Sequence, residues 1–245
     1  MLEEAGGFDE SFKAEVEREV EEWSKDRAAF ATDDEIEQEV GKEKRRVGVD
    51  AAIERWEVGR ALRRLRAGKA VGVDAVVAEL LKHGGEWMEE SVWELCVAVF
   101  EGEQLPIEWL RAVKVPVRKT GTGGDFEHYR GVTYRGVTLL SVVGKVFAMV
   151  VEARLRAFAE SRGLLSDSQF GFRQGRACRD ALLVLSEVVE RRGAGKVYAA
   201  FLDIAKAYPS VWRAGLWRKL LTVGVRGRLW RVLRSLYFRC EVGVR

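Results

Sequence analysis

Apolar residues recur at helical spacing along most of this chain and at strand spacing in a few short runs. Phe12, Val16, Val20 and Trp23 form one narrow stripe, which predicts an amphipathic helix reaching toward Ala31 and a second acidic helix from Asp33 or Asp34. Ile53, Trp56, Ala61, Leu62 and Leu65 predict a helix over 51–65, and the next helix spans 76–82, with Asp74 as its N-cap and Gly84 and Gly85 as its stop. Residues 91–100 put Val92, Leu95, Cys96 and Val99 inward. The broadest face belongs to 141–158, where Val142, Val143, Val146, Phe147, Val150, Val151, Leu155 and Phe158 fall together. A helix over 178–191 turns Leu182, Leu185, Val188 and Val189 inward. Two more follow, through Leu220 and, after a break at Gly224 to Gly227, through Tyr237.

Strand signals are fewer. Val113, Val115 and Val117 alternate with Ala112, Lys114, Pro116 and Arg118, a half-buried strand placed at a sheet edge because Pro116 cannot donate to a ladder. The Gly-rich turn at 120–125 makes this one arm of a β-hairpin. Residues 129–133 and 134–138 are the same five, YRGVT, in immediate tandem. An odd-numbered insertion turns a strand's faces over, so one copy is expected to bulge. Residues 197–202 are a continuous apolar run, read as a buried strand that ends in Asp203, and another strand begins at Cys240.

Composition adds two points. An apolar fraction of 47% with eight Trp in 245 residues excludes global disorder and allows one large domain or two modest ones. The net charge of +3 hides an asymmetry, because residues 1–46 carry 16 acids and 8 bases while the remainder carries 22 acids and 33 bases. A basic body behind an acidic leader suits an anionic partner such as nucleic acid, although a merely solvated basic surface has the same composition. Three dispersed cysteines indicate neither a zinc site nor a disulfide framework. The start of the chain is acidic and unlike a signal peptide, and the most apolar window, 139–151, is too short to span a bilayer and carries Lys145. The expectation is a soluble intracellular protein, nuclear or cytoplasmic, with no membrane partner.

Chemistry is signalled in three places. Asp203, a lone acid closing an apolar strand, is where metal-dependent phosphoryl-transfer enzymes hold a divalent cation. Arg118, Lys119 and Arg130 on the hairpin suit a triphosphate clamp, or an ordinary solvated hairpin. The polar, Gly-punctuated loop over 166–176 interleaves Phe170 and Phe172 with Arg173 and Arg176. That pattern suits stacking on bases and neutralising a backbone, and equally suits core Phe beside surface Arg.

Taken in order, GKAVGVDAVVAELLK, LPIEWLRAVKVPVRK, YRGVTLLSVVGKV, SQFGFRQGRACRDAL and FLDIAKAYPSVWRAGLWRKLLTVGV resemble the fingers and early palm of reverse transcriptases of LINE-type (non-LTR) retrotransposons, from about Ala61 onward. The resemblance implies a helix-rich α+β fold comprising an acidic helical leader (1–50), a fingers-like region (51–195) and an incomplete palm (196–245). It implies RNA-directed DNA polymerase chemistry with Mg2+, an RNA template, a DNA primer and deoxynucleoside triphosphates. Asp203 matches the first catalytic aspartate, with the Ile204 carbonyl as a further metal ligand, and Tyr208 matches the aromatic beneath the nucleotide sugar. Arg118, Lys119, Arg130 and Arg135 match triphosphate-binding positions, and Phe172, Arg173 and Arg176 would lie near the template. The sequence departs from the family at Pro209, where an aspartate is usual, at Val71, Val73 and Ala75 in the early loop, and in the YRGVT duplication. The family's Asp-Asp hairpin falls beyond Arg245, so the expectation is a polymerase piece inactive alone. A non-catalytic nucleic-acid-binding module and an unselected retroelement remnant are the alternatives.

Overall fold

Helix α6 (Val142–Ser161) is the axis on which the other elements pack. The computed structural model describes residues 10–25, 35–40, 43–118, 134–193, 195–204, 207–238 and 240–244. Ser141 caps α6, its Oγ accepting from the Gly144 N–H at 3.2 Å. The face predicted for this helix is the one it buries: Val142, Val146, Phe147, Val150, Val151 and Phe158 all enter the core. Each such side chain contributes about 1.5–3 kcal/mol relative to exposure.

Around α6 stand α2 (Arg55–Arg63), α3 (Ala78–His83), α4 (Gly85–Gly102) and the short α5 (Ile107–Leu110). α2 packs on both α6 and α4, burying Val58, Ala61 and Leu62 against Val92, Cys96, Val99 and Phe100. Leu95, predicted inward, is exposed. Asp74 does not cap α3. Its Oδ1 accepts from the Val76 N–H at 3.3 Å, a local turn, and the helix starts later, at Ala78. Gly84 closes α3 and Gly85 opens α4.

The chain before α2 is woven into this core. α1 (Glu10–Lys25) has the predicted stripe and buries Val16 and Val20 against α8 (Arg213–Thr222). The second acidic helix is not formed. Residues 35–48 make an antiparallel hairpin instead, β1 (Glu35–Val40) with β2 (Glu43–Gly48), and β1 packs on α6. Its register sets Glu37 opposite Arg46 and Glu39 opposite Lys44. The run alternates at a period of two, Ile36, Gln38 and Val40 against Glu35, Glu37 and Glu39, which suits a ladder. Asp50, just after β2, caps α9 (Gly227–Ser235) across 178 residues. Its Oδ2 accepts from the Arg228 N–H at 3.0 Å, and its Oδ1 from the Leu229 N–H at 2.7 Å.

A second sheet lies at the periphery in the order β4 (Tyr134–Leu139), β3 (Arg111–Arg118), β5 (Glu241–Val244). β3 and β4 form the predicted hairpin, from Val113 opposite Leu139 to Arg118 opposite Tyr134. The second YRGVT copy therefore supplies β4, and the first lies outside the described residues. β3 is not an edge strand, because β5 joins it in parallel from Arg111 to Lys114. Pro116 lies past the last of those pairs, where no described residue pairs with that flank of β3.

Two apolar segments contradict their predicted burial. α7 (Cys178–Arg191) forms, yet Leu182, Val188 and Val189 are exposed and the helix buries nothing, because no described element covers its stripe. Residues 197–202 form no strand. A strand needs a ladder partner for its backbone groups, and among the described residues none pairs with this run. Tyr198 is 88% exposed and Leu202 96%.

Candidate nucleotide and nucleic-acid site

Asp203 stands at the end of that open segment, exposed and without a hydrogen bond or ion pair to a described residue. Ile204 beside it is exposed. Tyr208 follows in the turn over 207–210, its carbonyl accepting from the Val211 N–H at 3.4 Å and its ring in solvent. Among the described residues no group of three or more His, Cys, Asp or Glu converges to hold a metal. One exposed carboxylate does not fit a magnesium pair, since this ion dehydrates reluctantly and leans on several charged ligands.

The hairpin brings Arg118 and Arg135 to neighbouring register positions at its far end, Arg118 opposite Tyr134 and Val117 opposite Arg135. Lys119 and Arg130 lie outside the described residues.

The loop over 166–176 is built by the arginines predicted to bind template. Arg173 clasps Glu160 at the end of α6, with Nε to Oε1 at 2.9 Å and Nη2 to Oε2 at 2.7 Å, and its Nη1 donates to the Ser166 carbonyl at 2.8 Å. These charge-assisted bonds hold the Glu160 carboxyl below its usual range and raise the pKa of Arg173. Arg176 donates to the Asp167 carboxylate at 3.0 Å and lies over the Phe170 ring at 5.6 Å. Phe172 is the member these contacts leave out. It sits at φ +61 with 91% of its surface in water. A bulky residue there is unfavourable in backbone and in solvation alike.

A buried ion pair below this surface escaped the sequence reading. Arg154 of α6 and Glu57 of α2 are both fully buried, with Nε to Oε1 at 2.9 Å and Nη2 to Oε2 at 2.5 Å. Arg154 also donates to the carbonyls of Val49, Ala51 and Ala52 at 3.2, 2.6 and 3.0 Å, so all five of its N–H groups are satisfied. Removing one member of such a pair costs about 3–5 kcal/mol. Arg154 interrupts the apolar stripe four residues after Val150 and four before Phe158. A charge inside a stripe is the signal that would have found it.

The family model described as reverse transcriptase (RNA-dependent DNA polymerase) matches residues 119–244, more than half of the chain. This chain belongs to the reverse transcriptase family. The match contains Asp203, Tyr208, β4 and the Phe172 loop. Relatives in Drosophila melanogaster assign the non-LTR type. A 115 kDa protein of a type-1 retrotransposable element is 30% identical over 182 residues, 73% of this chain and 17% of the relative. Proteins named as probable RNA-directed DNA polymerases of transposon X-element and transposon BS are 26% and 27% identical, over 69% and 67% of this chain and 18% of each relative. The chain thus spans under a fifth of the length of these relatives. A LINE-type reverse transcriptase domain accounts for its helix-rich α+β make-up with a small sheet. Among the described residues no helix is long and apolar enough to cross a membrane.

Proposed function

We propose that these residues are the fingers (51–195) and the opening of the palm (196–245) of a retrotransposon polymerase, preceded by a leader (1–50). The whole enzyme would add deoxynucleotides to a primer 3′-hydroxyl on an RNA template. The observation that carries this reading is the position of Asp203, an unengaged carboxylate within the stretch matched by the family. In the whole polymerase Asp203 and the Ile204 carbonyl would belong to the Mg2+ site, completed by carboxylates from elsewhere. Tyr208 would lie under the sugar of the incoming nucleotide, and Arg118, Lys119, Arg130 and Arg135 would neutralise its triphosphate. Phe172 would stack on template bases, with Arg173 and Arg176 fixing the loop that presents it.

Residues 1–245 alone do not extend a primer on this reading, because a single exposed carboxylate cannot assemble the ion pair that the chemistry needs. Primer extension on an RNA template with the isolated chain checks this. No product above background is expected, and synthesis that Asp203→Asn abolishes would overturn the claim. Phe172 favours a second reading, a module that binds nucleic acid without catalysis, since its strained and solvated placement suits a stacking platform.

A further inference from the structure

The first turn of α4 carries a side chain that the fold does not use. Trp87 is 74% exposed, and its indole N–H bonds to no described group. Leu80 of α3 is exposed as well, and α3 meets α4 at Gly84, where a Cβ would touch the Leu80 carbonyl and the Met88 side chain. The ground around Trp87 is acidic. Glu86, Glu89 and Glu90 all draw on one guanidinium, that of Arg55, at 3.3, 3.4 and 2.7 Å, so three carboxylates share one cation. A single exposed aromatic needs no explanation by itself. This one has a receptor of matching chemistry elsewhere on the molecule, and Trp, Tyr and Arg are the residues that most often anchor protein interfaces.

The receptor is a pocket between α1, α8 and α9, with a volume of about 280 Å³. Val20, Ala214, Trp217 and Tyr237 line it, with Glu17 and Arg213 among its charged members. A cavity of about 150 Å³ already admits benzene, so an indole fits here. Trp217 and Tyr237 set their rings 5.7 Å apart at 55°, a tilted pair that offers an incoming ring both an edge and a face. Residues 204–240 contain no acid, and their arginines are answered from other elements: Arg218 by Glu19, Arg231 by Glu103 and Arg234 by Glu21. Arg213 has no such partner. Its guanidinium lies over the Tyr237 ring at 5.9 Å and forms no ion pair with a described carboxylate. Glu17 pairs with no described cation either. The pocket thus presents an open cation from α8 and an open anion from α1.

We infer that Trp87 of one copy of this chain seats in the α1–α8–α9 pocket of a second copy, with Glu86 turned to Arg213. The Arg213 fork takes a carboxylate in a two-point bond, and repulsion from Glu17 keeps the acidic flank of α4 on the α8 side. A cationic anchor is excluded by the same walls, because Arg213 and Arg234 already lie over the rings of Tyr237 and Phe238. Trp87 does not reach the pocket of its own chain. Arg231 of α9 binds Glu103 at the end of α4, and Trp87 stands roughly 24 Å back along that helix, at about 1.5 Å per residue. The contact is therefore head-to-tail, leaving a free Trp87 on one copy and a free pocket on the other, so assembly continues past the dimer into a ring or an open chain. No residue of the proposed polymerase site takes part.

Sedimentation velocity of the 245-residue chain over a range of concentrations is the test. The wild type should associate progressively as concentration rises, without stopping at the dimer. Trp87→Ala, which removes the anchor, and Arg213→Glu, which spoils the pocket, should each stay monomeric. Both should keep the wild-type thermal midpoint, because both side chains are exposed. Mixed together, the two variants should form a 1:1 heterodimer and nothing larger, since the first keeps a pocket and the second keeps Trp87. A wild type that stays monomeric, a Trp87→Ala chain that associates as the wild type does, or a mixture that stays monomeric would each overturn the inference. The exposed stripe of α7 is the rival surface. Leu182→Glu/Val189→Glu should leave assembly unchanged, and if that variant alone abolishes it, α7 is the interface and Trp87 is not.

Discussion

Ala75 sits at φ +54, on the loop between α2 and α3. Its Cβ crowds the following carbonyl in that conformation at a cost of roughly 1–2 kcal/mol, which glycine avoids. Ala75→Gly should therefore stabilise the fold by about 1 kcal/mol, less the extra freedom glycine gives the unfolded chain. Urea unfolding would register it, and a lower midpoint would mean that the left-handed φ is not strained. Gly72, in the same loop, is constrained in the other direction. A Cβ there would meet the carbonyl carbon and oxygen of Leu140 at 2.5 Å, just where α6 begins. The sequence marked Ala75 as a departure from the family without disclosing the φ it must adopt. The roles of Arg173 and Arg176 were half legible: arginines near aromatics were visible, but nothing in the spacing tied them to Glu160 and Asp167. Residue type reports what a side chain can bind, and the tertiary neighbour decides whether that capacity is already used.

At the scale of elements, periodicity was informative about existence and poor about partners. α6 buries most of the stripe its sequence predicts, and α1 buries the middle of its own, Val16 and Val20, because each has another element facing it. α7 carries an equally regular stripe and buries none of it, and residues 197–202 are apolar enough for a central strand but have no described ladder to join. The hairpin at 35–48 was missed because its acids read as a helix surface, although Ile36, Gln38 and Val40 alternate with Glu35, Glu37 and Glu39 at a period of two. α9 depends on a partner no local pattern could reveal. Its N-terminal amides are satisfied by Asp50 rather than by a neighbour in sequence. Asp50→Ala should cost about 0.5–2 kcal/mol, the range for a lost N-cap. Asp50→Asn, which keeps an acceptor, should recover part of it in chemical unfolding, and equal losses for the two variants would show that the amides are not what Asp50 serves.

Across the whole molecule one core joins the leader, the helices around α6 and the α8–α9 pair, with Cys96 inside it. Burial pushes the Cys96 thiol up to about 12, so it stays protonated and unreactive at neutral pH. Cys178 and Cys240 are exposed. A thiol reagent should titrate two cysteines in the folded chain and a third only on unfolding, in step with the loss of Trp fluorescence. Three reactive thiols under native conditions would mean that the chain does not fold as one unit. Residues 10–25, within the acidic leader, are part of this unit, because they bury Val16 and Val20 against α8. The long reach of Asp50 has a further consequence, in time. During synthesis at about 5–20 residues per second, the 179 positions between Asp50 and Leu229 take roughly 10 to 40 s to appear. In the later part of that interval the nascent chain presents α4 without α9, which finally packs on it, so chaperone occupancy should be highest just before α9 leaves the ribosome.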